Sequence, residues 1–266
     1  MAAANEFDPL RSFRLRRIDA DQVSERDEAV IVEAAVAFVY NGSTHAVTMA
    51  TPQDLEDLAL GFSLGDGIVA SPSEWTHIET RRQGPGITVE MRVPQQRFDA
   101  LRSRSRALLV HSACGLCGSE SLAAALRAPA SVADVALIVR ADAVHAALGA
   151  LADAQRLNRA SGGVHAAGFV DESGLLVRED VGRHNALDKL IGARARAGRQ
   201  DGFIVMSSRA SYELVHKAAS AGLALLATIS APSSAAIELA ERCGLSLIAF
   251  ARDQRMNVYT HPWRVR

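Results

Sequence analysis

The sequence is poor in cysteine and in long apolar runs. Three cysteines in 266 residues do not make a disulfide framework. No segment approaches the roughly 18 uninterrupted apolar residues that a membrane span needs, and the opening Met1-Ala2-Ala3-Ala4-Asn5-Glu6 lacks the basic-then-apolar order of a secretory signal. We therefore expect a cytoplasmic protein that has no membrane segment.

Lysine is scarcer still. Only Lys189 and Lys217 are lysines among the 29 basic Lys and Arg residues, and the formal net charge is −1. Proteins that bind nucleic acid generally neutralise many phosphates and are basic, so this charge argues against a nucleic-acid partner. The arginine excess reflects either a base-composition bias in the coding sequence or bidentate contacts with phosphate groups.

The pattern of expected secondary structure changes near residue 130. Residues 1–130 contain two hairpin patterns and short helices, which predicts an α+β domain that ends in a cysteine loop. Residues 131–266 alternate helical segments with continuous apolar runs at 203–206, 223–229 and 245–250, which is typical of buried parallel strands with crossover helices. The fold class is therefore α/β, with a helix expected at 141–159 and a hairpin within 164–178.

The first hairpin and the helix after it have clear local signals. A strand at 12–18 comes first on the chain. Asn41-Gly42 is the preferred pair for a type I′ turn between the apolar run at 29–40 and the strand at 43–50. Thr51 then has the character of a helix N-cap and Pro52 fits the first helical position. A second hairpin is expected across residues 84–86, followed by a helix at 95–106.

Two of the three cysteines, Cys114 and Cys117, lie two residues apart in a glycine-framed loop. A helix expected at 119–127 would favour their thiolate form through its dipole. Three interpretations are open: a zinc site completed by histidines such as His111, a redox pair, or a nucleophilic thiol that accepts and passes on a group. Cys243 is expected to be a buried apolar residue.

The run at 178–189 concentrates polar side chains where a strand ends and a helix begins. Ligand sites of open α/β sheets lie at such junctions, which makes candidates of Asp180, Arg183, His184 and Asn185. The alternative is a charged first turn, with Asp180 as a cap and the side chains of residues 188 and 189 in solvent. Serine-rich junctions at 207–209 and 230–234 could hold phosphate, and together the three junctions predict one crevice at a common sheet edge.

A third candidate follows the last apolar strand. Arg252 and Arg255 could grip a pyrophosphate while Phe250 stacks on a base. The alternative for this segment is an ordinary surface loop.

Taken in order, these motifs resemble the FdhD/NarQ family: Cys-Gly-Leu-Cys-Gly at 114–118, Gly-Gly-Val-His-Ala-Ala at 162–167, the runs at 178–189 and 250–259, and the Thr-Pro helix at 51–62. The resemblance implies a sulfurtransferase for formate dehydrogenase. It would receive sulfur from a cysteine desulfurase as a persulfide on Cys114, assisted by Cys117, and deliver it to the bis(guanine dinucleotide) molybdenum cofactor.

The resemblance also implies site residues and an architecture. The cofactor would be bound cargo, held by its guanine nucleotide ends, and no cofactor of the protein's own is expected. The family's cofactor-binding segment matches Phe250, Ala251, Arg252, Asp253, Gln254 and Arg255. The second domain would be a three-layer α/β fold similar to cytidine deaminase, in a homodimer. Zinc deaminases need His-x-Glu and Pro-Cys-x-x-Cys, but Ala166-Ala167 follows His165 and no proline precedes Cys114, so no catalytic metal is expected.

Overall fold

Three β-sheets and seven α-helices are present in residues 7–108 and 129–266, the parts of the chain that the computed structural model describes. This confirms the mixed α/β class. No helix in these parts is long and apolar enough to cross a membrane.

The first sheet is an exposed two-stranded ribbon. Strand β1 (Leu10–Asp19) pairs antiparallel with β2 (Gln22–Ile31). The strand expected at 12–18 is therefore confirmed, whereas β2 was not predicted as a separate strand. The run at 29–40 is divided between β2 and β3, because the chain leaves the ribbon after Ile31.

The second sheet has four strands: β3 (Ala34–Tyr40), β4 (Ser43–Ala50), β5 (His77–Gln83) and β6 (Gly86–Arg92), in the order β4-β3-β6-β5. Both expected hairpins are present. Asn41 and Gly42 have φ of 46° and 80°, as the central residues of a type I′ turn require. Alternate residues of β3 and β6 are buried, including Phe38 and Val89, and they form one core with helix α1.

Helix α1 (Leu55–Gly65) begins later than the Thr-Pro pair predicts. Its N-cap is Asp54, in a left-handed conformation, so Thr51 as the N-cap was wrong. Thr51 is instead completely buried, where its hydroxyl accepts the backbone N–H of Val181 and its own N–H donates to Asp180. Tertiary partners have replaced the local cap. Helix α2 (Gln95–Leu108) confirms the helix expected at 95–106.

The third sheet has six strands in the order β12-β11-β10-β9-β7-β8. The expected parallel arrangement is confirmed for β9, β10 and β11. Strand β7 runs antiparallel to β8 and β9, and β12 runs antiparallel to β11. Strands β8 to β11 consequently end at one edge, which we call the carboxyl edge. The six strands are β7 (His165–Asp171), β8 (Gly174–Asp180), β9 (Phe203–Met206), β10 (Leu225–Thr228), β11 (Ser246–Arg252) and β12 (Arg255–Val258).

Helices cover both faces of this sheet and make three layers. One face packs on α3, through Leu151 against Val205, and the other on α5 to α7, through Leu187 against Ile204. The helices are α3 (Ala141–Ala154), α4 (Arg156–Ser161), α5 (Arg183–Arg196), α6 (Tyr212–Ser220) and α7 (Ser234–Cys243).

The single helix expected at 141–159 was wrong, because the chain breaks at Gln155. The carboxylate of Glu179 accepts the N–H groups of Leu157 and Asn158, and so it replaces the carbonyl partners that a continuous helix would supply. The likeness to cytidine deaminase stays a prediction.

Helices α1 and α5 join the four-stranded sheet to the six-stranded one at very close range. A Cβ atom on Gly61 would lie 1.7 Å from the carbonyl oxygen of Asp188, and one on Gly192 would lie 2.0 Å from that of Asp57. Glycine is therefore required at both positions. The strands of the two sheets lie within residues 34–92 and 165–258, and a domain boundary near residue 130 stays a prediction.

Candidate functional site

The carboxyl edge places the three polar junctions side by side. His184 Nε2 at the start of α5 lies 3.4 Å from Ser211 Oγ, before α6. The N–H of Ser233, before α7, donates to the carbonyl of Ala210 at 3.0 Å. The N–H of Phe250 donates to Ser230 at 3.2 Å, which connects the end of β11 to the same row. The N-terminal ends of three helices thus share one edge with the segment at 250–255.

Asp180 lies at the base of this row and is completely buried. Its carboxylate accepts the N–H groups of Thr51 at 3.0 Å and Gly182 at 2.8 Å, and it contacts Lys189 Nζ at 2.6 Å. Helix α5 begins after Gly182 as its N-cap. Asp180 therefore connects the start of α5 to the chain before α1.

Both lysines of the chain are paired with carboxylates, and their side chains are 0% and 13% exposed. Lys189 is completely buried and also donates to the carbonyl of Thr51, and Lys217 Nζ lies 2.9 Å from Asp188 Oδ1. Burial lowers the pKa of Lys189, and the carboxylate of Asp180 opposes that shift. The alternative in which residues 188 and 189 are solvated was wrong. The rarity of lysine in the sequence was the available signal for these positions.

Asn185 acts at the same joint. Its amide donates to the carbonyl of Met49 at 2.7 Å and to Asp180 at 3.1 Å. It thereby holds the end of β4 against the first turn of α5. Asp180 and Asn185 position the site, and direct contact of either with a ligand stays a prediction.

Arg183 lies close to His165 and His184 at this edge. Within residues 7–108 and 129–266, the Nε of Arg183 is buried and has no hydrogen-bond partner. Burial, followed by the neighbouring charges of Arg183 and His184, lowers the pKa of His165. The first cause disfavours a charge of either sign, and only the second, repulsion by Arg183 and His184, is of the kind that favours an anion. The sequence placed His165 in the motif at 162–167 and in the comparison with zinc deaminases, and its place in this cluster was missed.

The segment at 250–255 is a strained hairpin rather than a surface loop. Phe250 has φ of 51° at an irregularity in the β11–β12 register, and Asp253 and Gln254 have φ of 54° and 60° in the turn. Non-glycine residues seldom adopt such values, and clusters of them are typical of functional sites. Ala251 is buried.

Arg252 and Arg255 are exposed and face each other as cross-strand partners. Like charges directly opposite on a sheet are destabilising, and a bound anion would relieve that repulsion. The hairpin therefore has the chemistry of an anion clamp.

A separate crevice of about 480 Å³ opens between the four-stranded sheet and helices α5 and α6. Most of its lining was missed from the sequence, because α6 carries no recognisable motif. We call it the α5–α6 crevice. It is lined by Phe38, Thr48, Phe62, Asp66, His184, Asn185, Asp188, Tyr212, Glu213, His216 and Lys217.

Cys114, Cys117, His111 and the helix expected at 119–127 lie outside the described residues, so their roles stay predictions. Cys243 is 2% exposed, which confirms it as a buried residue. The described parts of the chain contain no group of three or more His, Cys, Asp or Glu side chains that could hold a metal ion.

Comparison with known proteins identifies relatives over almost the whole chain. The model of the FdhD/NarQ family matches residues 31–266. A protein of Xanthomonas campestris named "Sulfur carrier protein FdhD" is 49% identical over 255 residues, which cover 94% of this chain and 90% of that protein. A protein of Variovorax paradoxus with the same name is 44% identical over 256 residues, which cover 94% and 91%.

A solved structure shares the fold. A crystal structure described as that of a candidate formate dehydrogenase accessory protein from Desulfotalea psychrophila aligns with a TM-score of 0.75 at 22% identity, and it covers 97% of this chain and 100% of that one.

Proposed function

The chain belongs to the FdhD/NarQ family, and from that premise we propose that it is a sulfurtransferase that serves formate dehydrogenase. It takes persulfide sulfur from a cysteine desulfurase and delivers it to the bis(guanine dinucleotide) molybdenum cofactor. The observation that carries this proposal is the likeness over 94% of the chain to relatives named as sulfur carriers. The sequence contributes the two thiols that such a role needs.

The transfer step requires one nucleophilic thiolate. The thiolate of Cys114 attacks the terminal sulfur of the donor's persulfide, a new S–S bond forms, and the donor's own S–S bond breaks. The donor leaves as a thiolate and Cys114 becomes Cys-S-SH, so the step needs no external oxidant or reductant. Cys117 assists at this centre.

The carboxyl edge supplies the means to hold the cargo. Arg252 and Arg255 form an exposed cationic pair, and Arg183 at the start of α5 has a buried Nε with no hydrogen-bond partner among the described residues. Arginine binds phosphate oxygens through two parallel N–H donors. We assign these groups to the phosphates of the two nucleotide ends. The cofactor is a substrate of the protein. The protein acts in the cytoplasm as a homodimer. Light scattering tests the homodimer.

Mass spectrometry after incubation with a cysteine desulfurase and cysteine tests the sulfur-carrying residue. We expect the wild type to gain a sulfur atom on Cys114, Cys114→Ser to gain none, and Cys117→Ser to gain it more slowly. Cys243→Ala is the matched control, because Cys243 is buried in the core and should not affect loading. A sulfur adduct on Cys114→Ser equal to that on the wild type contradicts the assignment.

A GDP titration tests the anion clamp separately. The double variant Arg252→Ala/Arg255→Ala should bind GDP at least tenfold more weakly, since it loses two charge-assisted contacts. Arg242→Ala, which removes an exposed arginine at the end of α7, is the control and should bind normally. Undiminished GDP binding by the double variant would contradict the role of the hairpin in phosphate binding.

A further inference from the structure

The exposed ribbon of β1 and β2 takes no part in the site at the carboxyl edge. Its ten cross-strand pairs are in continuous register, and residues 16–27, which form its outer half, are all exposed. A two-stranded hairpin is only marginally stable by itself in water, so a second surface against this ribbon would stabilise it. The ribbon precedes almost all of residues 31–266, the part that the family model matches. Its role therefore has to be found in its own residues.

One face of the outer half carries an apolar pair. Ile18 and Val23 are directly opposite each other in the register, and they are 67% and 53% exposed. Large apolar side chains that are paired and exposed on an open ribbon are typical of a contact surface. Successive residues of a strand point to opposite faces, so alternate cross-strand pairs share the face of this apolar pair. We call this surface the tip face, and its pairs are Ile18 with Val23, Arg16 with Glu25 and Arg14 with Asp27.

The two strands of the ribbon carry opposite charges. Strand β1 contains four arginines and one aspartate, whereas β2 contains three acidic residues and one arginine. On the tip face, each arginine of β1 is opposite a carboxylate of β2. The side chains of Arg14 and Glu25 lie 2.9 Å apart and are 69% and 64% exposed. These charges are therefore accessible to a second molecule.

The opposite charges of the strands select the occupant. A two-fold axis parallel to the strands stacks two tip faces so that β1 of one copy lies over β2 of the other. Arg14 and Arg16 of each copy then face carboxylates of the other copy, and each apolar pair packs on its equivalent. Such a contact is isologous and closes at two copies. We propose that the tip face is the surface through which a second copy of this chain binds. This inference deepens the homodimer of the proposed function, on which it rests.

Other contacts of the ribbon are less favourable. Two ribbons joined through their β1 edges would bring arginine-rich strands together, and joining through the β2 edges would bring acidic strands together. An edge of β1 joined to β2 of another copy would match the charges, but each added copy would leave a free edge and the assembly would not close. A strongly acidic or strongly basic partner would be repelled by one of the two strands. Stacking of two tip faces alone combines opposite charges with closure.

Light scattering of the full-length protein tests the apolar pair. Ile18→Asp should weaken self-association about tenfold or more, because it places a carboxylate in an apolar contact. The mass should fall from that of two chains to that of one. Val47→Asp is the matched control, since Val47 is 63% exposed on β4, outside the ribbon, and this variant should stay a dimer. A monomeric wild type, or an Ile18→Asp variant that dimerises as well as the wild type, would overturn the proposal.

Charge reversal tests how the strands are arranged. Arg14→Glu/Arg16→Glu should be a monomer, because β1 then repels the acidic β2 of a second copy. A fourfold variant that also carries Glu25→Arg and Asp27→Arg regains opposite charges and should dimerise with itself, which shows that the ribbon still folds. Mixed with the wild type, it should form no mixed dimer, since the strands that face each other then carry like charges. Native mass spectrometry measures this, and mixed dimers at the statistical proportion would contradict the stacking of tip faces.

The outcomes separate this inference from the proposed function. If Ile18→Asp stays a dimer while Cys114 of the wild type gains sulfur, the contact through the tip face is wrong and the sulfurtransferase stands. If Cys114 acquires no sulfur, the proposed sulfur transfer fails, and the masses of the ribbon variants still decide whether the ribbon joins two copies.

Discussion

Lys189 Nζ lies 2.6 Å from Asp180 Oδ2, and both side chains are completely buried. The same ammonium group donates to the carbonyl of Thr51, whose N–H donates to Asp180. One ion pair thus fixes the chain before α1 to the first turns of α5. Both members of the pair are buried, and they hold the walls of the site together.

Lys189→Met should lower the free energy of unfolding by about 3–5 kcal/mol, because it leaves the carboxylate of Asp180 buried without its counter-ion. Urea unfolding measures this. Arg140→Ala is the control, since Arg140 and Asp142 are a solvent-exposed pair and should contribute less than about 1 kcal/mol. Equal effects of the two substitutions would contradict the structural role of the buried pair.

Gly192→Ala should destabilise the protein by at least about 3 kcal/mol, because its Cβ would lie 2.0 Å from the backbone oxygen of Asp57. Gly149→Ala in α3 is the matched control. Nothing lies within 4 Å of a Cβ at that position, so the substitution should stabilise by about 0.5–1 kcal/mol through helix propensity. Thermal unfolding of both variants decides whether the two helix backbones touch.

Asp188 should give stability a pH dependence in the acid range. Burial raises its pKa to about 6, against the opposing effect of Lys217. The folded state therefore binds this proton more tightly than the unfolded state does. The stabilisation is complete below about pH 4 and is lost as the pH rises to about 6, by up to about 3 kcal/mol. Asp188→Asn should remove this slope from the unfolding free energy, and identical slopes in variant and wild type would refute the shift.

Gln254→Gly should stabilise the β11–β12 hairpin by about 0.5–1 kcal/mol, because glycine adopts the left-handed conformation of this turn without strain. Gly42→Ala should cost a similar amount for the opposite reason, since Gly42 has φ of 80° and open space around it. Chemical denaturation gives both values. A neutral Gln254→Gly would show that the turn carries no strain.

Local signals in the sequence were sufficient for the elements that depend on local chemistry. The Asn41-Gly42 turn and the continuous apolar strands β9 to β11 are present as expected. A turn of this type and a completely buried strand each require particular residue types, so both features could be predicted from the sequence.

Elements that depend on distant partners could not be predicted in this way. Thr51 has the right chemistry for a cap, but Asp180 and Val181, about 130 positions away, take its hydrogen bonds. Glu179 breaks the helix at Gln155 by the same kind of long-range contact. Within the site, the junction at 178–189 was found because its residues are contiguous, whereas the crevice is assembled from five separate elements.

The glycine contacts between α1 and α5 have a mechanical consequence. Two helices that touch backbone to backbone at Gly61 and Gly192 cannot slide past each other or roll without a collision of main-chain atoms. The two sheets are therefore held as parts of one rigid frame, and the spacing between the crevice and the carboxyl edge is constant. Any movement of one sheet relative to the other would first have to separate these two helices at both glycines.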